Sequence, residues 1–334
     1  MNEARDLPGS GGIRRFHFAL LDRFTLLSFS CAVETLRIAN RISGRTLYTW
    51  RLVGEHGGEH GGEVACSAGA RFPLDGALQD VDRDDTICLC GGLDIARAAT
   101  RPLLSWIRKA DRRGARIGGL CTASWIMAEA GLLDGRRATI HWENNDGFVE
   151  RFPEVTLTKS VFTDEGRYFT TAGGTSSIDL MLKIIADDHG DDLANEVADQ
   201  LIYSSIRTDQ DVQRLSMPSR IGVRHPRLAQ VIQMMEAHIE DPISPAVLAS
   251  EVGLSARQLE RLFRRYLGRS PKRYYMQLRL QKARSLLLQT DMSVIAVAMA
   301  CGFTSPSHFS KCYRGQYATT PYRERGVHSG RVPV

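Results

Sequence analysis

Cys121 stands at the junction of an apolar run and an amphipathic stretch, in Gly118-Gly-Leu-Cys-Thr-Ala-Ser-Trp125. A cysteine on a sharp strand-to-helix turn sits at the end of a sheet and near a helix N-terminus. That arrangement can lower a thiol pKa and make a nucleophile. His141 follows one short strand later, and Glu34 lies upstream on a helical segment; a Cys/His/acid set of this kind suits a cysteine hydrolase. Two tryptophans give the same place another meaning. Trp125 comes one helical turn after Cys121, and Trp142 adjoins His141. With Glu34 at the same mouth they would form a cage for an organic cation, because aromatic faces attract quaternary ammonium groups. Core packing is the commoner use of tryptophan in an α/β domain, and a cysteine at a tight turn can also be structural or redox-sensitive. Finally, Ala172-Gly-Gly-Thr-Ser-Ser-Ile-Asp179 is a Gly-rich turn leading into a helix. Gly173, Gly174 and Thr175 could hold a carboxylate at that helix N-terminus, or simply make a tight turn.

A second set of residues suits nucleic acid. The last hundred residues repeat one pattern: Leu259, Phe263 and Pro271 recur as Phe309, Tyr313 and Pro321 at an offset of 50, and Gly253 recurs as Gly302 at 49. Each copy reads as an apolar helix, a turn containing Gly, and a second helix with a polar face, which is the helix-turn-helix layout. In the first copy Ser255 caps the second helix; Leu259, Leu262 and Phe263 face inward, leaving Arg257, Glu260 and Arg261 to reach base edges. Arg pairs bidentately with guanine, and Glu accepts from the cytosine amino group. Arg265, Arg269, Lys272 and Arg273 are placed for phosphates, which set register without reading sequence. In the second copy Ser305 is the cap and Ser307, Ser310 and Lys311 point outward, a less charged reading face. The helix between the copies, Tyr274 to Leu288, would hold the readers about one DNA turn apart, ~34 Å.

The elements that must position these residues fall into two groups. From Phe16 to Tyr203 the chain alternates strands and helices. Strands are expected at Phe16–Leu21, Tyr48–Gly54, Thr86–Cys90 and Arg116–Leu120, and helices at Ser28–Arg41, Pro102–Arg113, Thr122–Ala130, Ile178–His189 and Leu193–Tyr203. A hairpin is expected from Val155–Val161 and Arg167–Thr171. This pattern implies an α/β domain, a parallel sheet flanked by helices. Residues 204–225 are polar and broken by Pro218 and Gly222, as a linker would be, and residues 226–325 read as all α. The expected organisation is thus a tail at 1–12, an α/β domain at 13–203, a linker at 204–225, an all-α domain at 226–325 and a tail at 326–334.

Bulk properties agree with that division. Among 334 residues, 43% are hydrophobic and 24% charged, ordinary for a globular protein. No apolar run reaches about 18 residues, so no membrane span is expected, and Met1–Gly12 lacks the apolar core of a signal peptide. Seven scattered cysteines without CxxC spacing suggest a reducing, cytoplasmic setting. Residues 226–325 carry 15 Lys and Arg against 7 Asp and Glu, a net +8, whereas residues 1–203 carry 23 against 29, a net −6. A basic module beside an acidic one fits a DNA-binding part attached to a sensor. His56 and His60 sit in a Gly-rich repeat, Glu55-His-Gly-Gly-Glu59-His-Gly-Gly. Without further ligands nearby they are read as loop residues, and no metal or other cofactor is expected.

Leu254-Ser-Ala-Arg-Gln-Leu-Glu-Arg-Leu-Phe-Arg-Arg-Tyr-Leu-Gly-Arg-Ser-Pro271, with Ala300-Cys-Gly-Phe-Thr-Ser-Pro-Ser-His-Phe309, resembles the AraC/XylS family of bacterial transcription regulators. Ala318 departs from that family's usual Gly, which the first copy keeps as Gly268. The α/β half resembles the class I glutamine amidotransferase-like, or PfpI-like, flavodoxin-like fold, with Glu34, Cys121 and His141 at its acid, elbow and His positions. The tandem is characteristic of GlxA-like regulators. The resemblance implies a bacterial, sequence-specific DNA-binding regulator, more often an activator, whose old enzyme pocket senses a small molecule such as a quaternary amine or an amino acid. It also implies promoter DNA, a small-molecule effector and RNA polymerase as partners, a homodimer, and no catalysis. The alternative reading is a vestigial or active cysteine hydrolase, or a thiol redox sensor at Cys121, joined to the same DNA-binding domain.

Overall fold

A computed structural model describes residues 12–57, 62–213 and 225–328. Residues 1–11 of the tail expected at 1–12, His60, residues 214–224 in the second half of the expected linker and the last residues (329–334) lie outside the described residues. The chain divides into two compact units, one ending at Gln213 and one beginning at Arg214.

Among the described residues the first unit has ten strands: β1 (Arg14–Leu20), β2 (Tyr48–Val53), β3 (Gly62–Ala65), β4 (Arg71–Leu74), β5 (Thr86–Cys90), β6 (Arg116–Leu120), β7 (Arg137–Ala138), β8 (Thr156–Leu157), β9 (Phe162–Asp164) and β10 (Tyr168–Thr171). Six of them form one sheet in the order β2-β1-β5-β6-β10-β9. All its pairings are parallel except the edge pair β9–β10. Its helices are α1 (Leu26–Ser43), α2 (Arg101–Arg113), α3 (Ser124–Glu129), α4 (Asn145–Arg151), α5 (Ser176–His189) and α6 (Asp191–Gln200). Successive strand residues point to opposite faces, and the core divides accordingly. Phe16, Phe18, Leu20, Cys88 and Cys90 pack with Leu36 of α1, Ile184 of α5 and Val197 of α6. Ala19, Ile87 and Leu89 join Ile107 of α2, Trp125 of α3 and Phe148 of α4 on the other face. Apolar strands covered on both sides are the rule for parallel sheets.

Two departures from expectation have local causes. The hairpin partner of β10 is Phe162–Asp164, while Thr156–Leu157 pairs in parallel with β7. A tight turn fixes this: Glu165 N–H donates to Tyr168 O, and Gly166 adopts φ +80°. Hairpin register is set by its turn, so the arms start beside Gly166. The last helix of the unit stops at Gln200, since Ile202 is left-handed at φ +54°. Beyond it, residues expected as linker are bound into the sheet domain. Asp211 O accepts from Val161 N–H at 2.8 Å, and Gln213 N–H donates to Lys159 O at 3.0 Å.

The second unit is helical: α7 (Pro226–Ala237), α8 (Pro245–Glu251), α9 (Ala256–Leu267), α10 (Pro271–Gln289), α11 (Val294–Ala300), α12 (Pro306–Tyr317) and α13 (Pro321–His328). Ser244, Ser255, Ser270, Ser293 and Ser305 each cap the helix that follows, accepting from the backbone N–H three residues on. Ser255 and Gln258 form a reciprocal capping box. Each helix pair has its own core, Leu248, Leu259 and Phe263 in the first, Val297, Phe303, Phe309 and Tyr313 in the second.

Candidate functional site

The turn after β6 bends sharply at Cys121, whose φ is +63°. This is the left-handed region that non-glycine residues rarely adopt. The strand ends of β1, β6 and β10 bring three loops together here, at the carboxyl edge where open α/β sheets place their sites. Thr25, the residue before α1, donates from Oγ1 to Cys121 Sγ at 3.4 Å. Ser28 Oγ accepts from Gly174 N–H at 2.8 Å. Gly173 has φ +86°, and a β-carbon there would lie 2.6 Å from Cys121 Cβ.

Cys121 is 5% exposed. Burial pushes its thiol above the ordinary value, and hydrogen bonds from Thr25, the Thr122 backbone and Ser28 only partly offset this. The expectation of a lowered, nucleophilic thiol is therefore corrected: loss of solvation outweighs the donors around the sulfur. Glu34 is also displaced from the expected site. It is exposed on α1, and both carboxylate oxygens accept from Arg37, at 2.7–3.0 Å. Trp125 is no cage wall either. It is 4% exposed and packs edge-on against Phe148 and Phe152 in the core.

What remains is a cleft of about 80 Å³ bordered by His141, Trp142, Gly173, Ser176, Arg207 and Gln213. Its size is well below the ~300 Å³ of a drug-sized pocket, so it suits a ligand of few atoms. Trp142 is 38% exposed, and its ring lies 5.6 Å from that of His141. Burial lowers the His141 pKa, opposed in part by Glu143, whose carboxylate is 3.8 Å away. Burial thus favours the neutral ring of His141. Arg207 and Gln213 lie in the stretch whose composition predicts a linker. The signal for Arg207 is Asp179, a carboxylate in the first turn of α5 whose side chain is fully buried; a buried charge requires a partner. Asp179 accepts from Arg207 Nε and backbone N–H, at 3.0 and 2.8 Å, and from the Tyr203 hydroxyl. Burial nevertheless keeps its carboxyl above the ordinary range. Arg207 Nη2 also donates to Thr175 Oγ1, at 2.8 Å. Thr175 is therefore occupied by a side chain, and Gly174 N–H by Ser28. Gln213 Nε2 donates to Thr139 Oγ1, Ile140 O and Ser160 O. Among the described residues no group of three or more metal-ligating side chains occurs.

In the second unit, α9 exposes Arg257, Arg261, Arg264 and Arg265, while Leu259 and Phe263 are fully buried. Leu262 is only partly buried. Glu260 is half-buried and accepts from Arg264 at 2.9 Å. Lys272 and Arg273 are exposed in the first turn of α10. Arg269 lies in the short turn between α9 and α10, where its guanidinium donates to Leu267 O and Gln277. On α12, Ser307 and Lys311 are exposed and Ser310 is half-buried. The two copies differ at their turns. Gly253 has open space around it, but a β-carbon on Gly302 would meet Ile239 O at 2.6 Å. Arg279 of α10 locks the second turn, donating to Cys301 O and Gly302 O and stacking 4.2 Å over the Phe303 ring. The extra residue in the second copy lies just beyond this glycine, between Gly302 and the Ser305 cap.

Comparison with known proteins agrees with both halves. Residues 18–187 match the DJ-1/PfpI family and residues 248–326 match a helix-turn-helix domain. The chain is 46% identical to the HTH-type transcriptional regulator CdhR of Pseudomonas aeruginosa, across 96% of this chain and 94% of that protein. It is 36% identical to the HTH-type transcriptional regulator GlxA of Rhizobium meliloti, across 93% and 95%. Its fold resembles a THiJ/PfpI family protein from Pseudomonas syringae, with TM-score 0.51 and 18% identity over 70% of this chain and 94% of that one. No helix among the described residues is long and apolar enough to cross a membrane. With a DJ-1/PfpI domain before two linked helix-turn-helix motifs, the chain belongs to the GlxA-like, AraC-type family of bacterial DNA-binding transcription regulators.

Proposed function

We propose that the chain is a metabolite-responsive transcription activator acting in the cytoplasm as a homodimer that engages RNA polymerase at its promoter. The observation that carries the sensing role is the small polar cleft beside a thiol that burial keeps protonated. A neutral His141, an aromatic face on Trp142 and the cation of Arg207 suit binding; none of them activates a nucleophile. The effector is a small quaternary amine or amino acid, with Trp142 and His141 as the aromatic wall. Residues 13–213 form the sensor and residues 226–325 the DNA-binding domain.

On DNA, Arg257 and Arg261 read base edges, and Glu260 joins them once Arg264 turns to a phosphate. Arg265, Lys272 and Arg273 hold the backbone. Ser307, Ser310 and Lys311 form the softer second reader. The 19 residues of α10 span roughly 28 Å at 1.5 Å each, which suits readers in successive turns of one DNA face. A ligand shifts transcription only if it favours one of two states of the protein.

The test is footprinting and in vitro transcription with the full chain on the DNA upstream of its gene, with and without a panel of amines and amino acids. The expected result is a protected site and transcription raised by at least one metabolite. Protection that no metabolite alters, with unchanged transcription, overturns the sensing role.

A further inference from the structure

The two helix-turn-helix motifs are clamped to each other at one place. The segment that leads from α7 into the first motif, residues 238–242, lies against the second. The Tyr275 hydroxyl of α10 donates to His238 O, and Ile239 packs against the second core. Gly302 fits this segment so closely that a β-carbon on it would stand 2.6 Å from Ile239 O, 2.7 Å from Glu240 O and 2.8 Å from Pro242 Cγ. Arg279, on the connecting helix α10, closes the clamp. Its Nε donates to Cys301 O at 2.8 Å and its Nη2 to Gly302 O at 2.7 Å. Its guanidinium carbon lies 4.2 Å from the centre of the Phe303 ring. Cys301 closes α11, and the carbonyls at a helix C-terminus lack helical partners and favour a cation. A planar fork that meets two carbonyls and an aromatic face fixes direction as well as distance. The first turn is not held this way: among the described residues, a β-carbon on Gly253 would meet nothing within 4 Å.

We infer that Arg279 is the positioning residue that sets the angle of the second reading helix, and with it the number of base pairs between the two half-sites read by one chain. Ser305, the cap of α12, follows Gly302 after two residues, so α12 starts directly from the clamped turn. One added base pair moves a half-site by ~3.4 Å along the duplex and turns it by ~34° around the axis. A reading helix tied to α10 and to residues 238–242 cannot follow that step unless the bonds to Cys301 O and Gly302 O break, and breaking them leaves two carbonyls unpaired. The clamp also explains how a reader with few charges contributes. A helix already held at its working angle loses little freedom on binding, so the second motif discriminates by spacing as well as by base contacts. The inference rests on DNA reading by both motifs and is independent of what the first unit senses.

Selection of sites from random-sequence duplexes by the full chain, followed by competitive binding, tests this. Sites selected by the wild-type chain are expected to carry two half-sites about one DNA turn apart, ~10 base pairs, at a single spacing. Adding or removing one base pair between them should weaken binding about tenfold or more. Arg279→Met keeps the apolar stem and removes both donors. It should select sites of mixed spacing, bind the original spacing more weakly, and change less than about threefold when one base pair is added or removed. A purely stabilising Arg279 would lower the melting temperature and leave the spacing preference sharp. Should Arg279→Met not fold, Arg279→Gln takes its place with the same expectation, and the wild-type spacing series decides beside it. The inference falls if the wild-type chain tolerates single-base-pair changes, or if a folded variant keeps the sharp preference. Selected sites with only one half-site would also overturn it, while leaving DNA binding by the first motif standing. A chain that selects no sequence at all would take the DNA reading down with it.

Discussion

Gly173 lies against Cys121 so closely that a β-carbon on it would stand 2.6 Å from Cys121 Cβ and 2.8 Å from Sγ. The turn after β10 can approach the elbow after β6 only because residue 173 has no side chain, and its φ of +86° asks for glycine as well. Gly173→Ala should therefore cost about 2–4 kcal/mol, from overpacking together with backbone strain. Urea unfolding measures it; a change below about 0.5 kcal/mol would show that the two loops part freely.

The Cys121 thiol should be inert at neutral pH. Its folded pKa is raised above 9.0 by burial. The stability this confers is fully present below pH 9 and is lost as pH climbs through the folded value. Labelling by a maleimide at pH 7 should be much slower than for a free thiol, and Cys121→Ala should keep its metabolite-dependent transcription. Loss of that response in a folded Cys121→Ala protein would favour redox or covalent chemistry.

His141 provides the opposite pH dependence. Its folded pKa is lowered from 6.5, first by burial. The matching stability is present above pH 6.5 and is lost as pH falls through the lowered value. His141→Gln, neutral at every pH, should flatten the acid side of the stability curve below pH 6.5. An unchanged acid limb in thermal melts would mean that other groups dominate it.

On DNA, Arg261→Ala should relax sequence preference at one base pair and cost about 1–3 kcal/mol. Lys272→Ala should weaken binding to all sequences evenly and reduce the salt slope by about 1. Competitive binding at several salt concentrations separates the two effects. Equal behaviour of both variants would mean that the reading face of α9 is misassigned.

Ala318 closes α12 in the left-handed region, at φ +56°, where the first copy has Gly268 at +67°. Ala318→Gly should stabilise the protein by about 1 kcal/mol, because glycine bears this conformation without strain. Denaturant titration of the full chain would show it as a shift of the unfolding midpoint of the second unit.

The helix-turn-helix pair was legible because its signals are local. Ser caps, apolar spacing and the turn glycines lie within one or two helical turns of each other, and the repeat doubled each of them. The parallel sheet was legible for a similar reason, as runs such as Thr86–Cys90 are apolar throughout. The cleft was not. Arg207 meets Asp179 across 28 residues and Gln213 meets Thr139 across 74, in a polar stretch whose composition matches a linker.

By itself, the sequence determined the two-part architecture, the elbow at Cys121 and which faces of α9 and α12 are buried, all of which follow from periodicity and turn chemistry over short spans. Only the tertiary structure decided that Glu34 belongs to Arg37, that Trp125 is core, and that the Cys121 thiol stays protonated. Those outcomes depend on desolvation and on partners delivered by distant strands, and neither is encoded in the spacing of neighbouring residues.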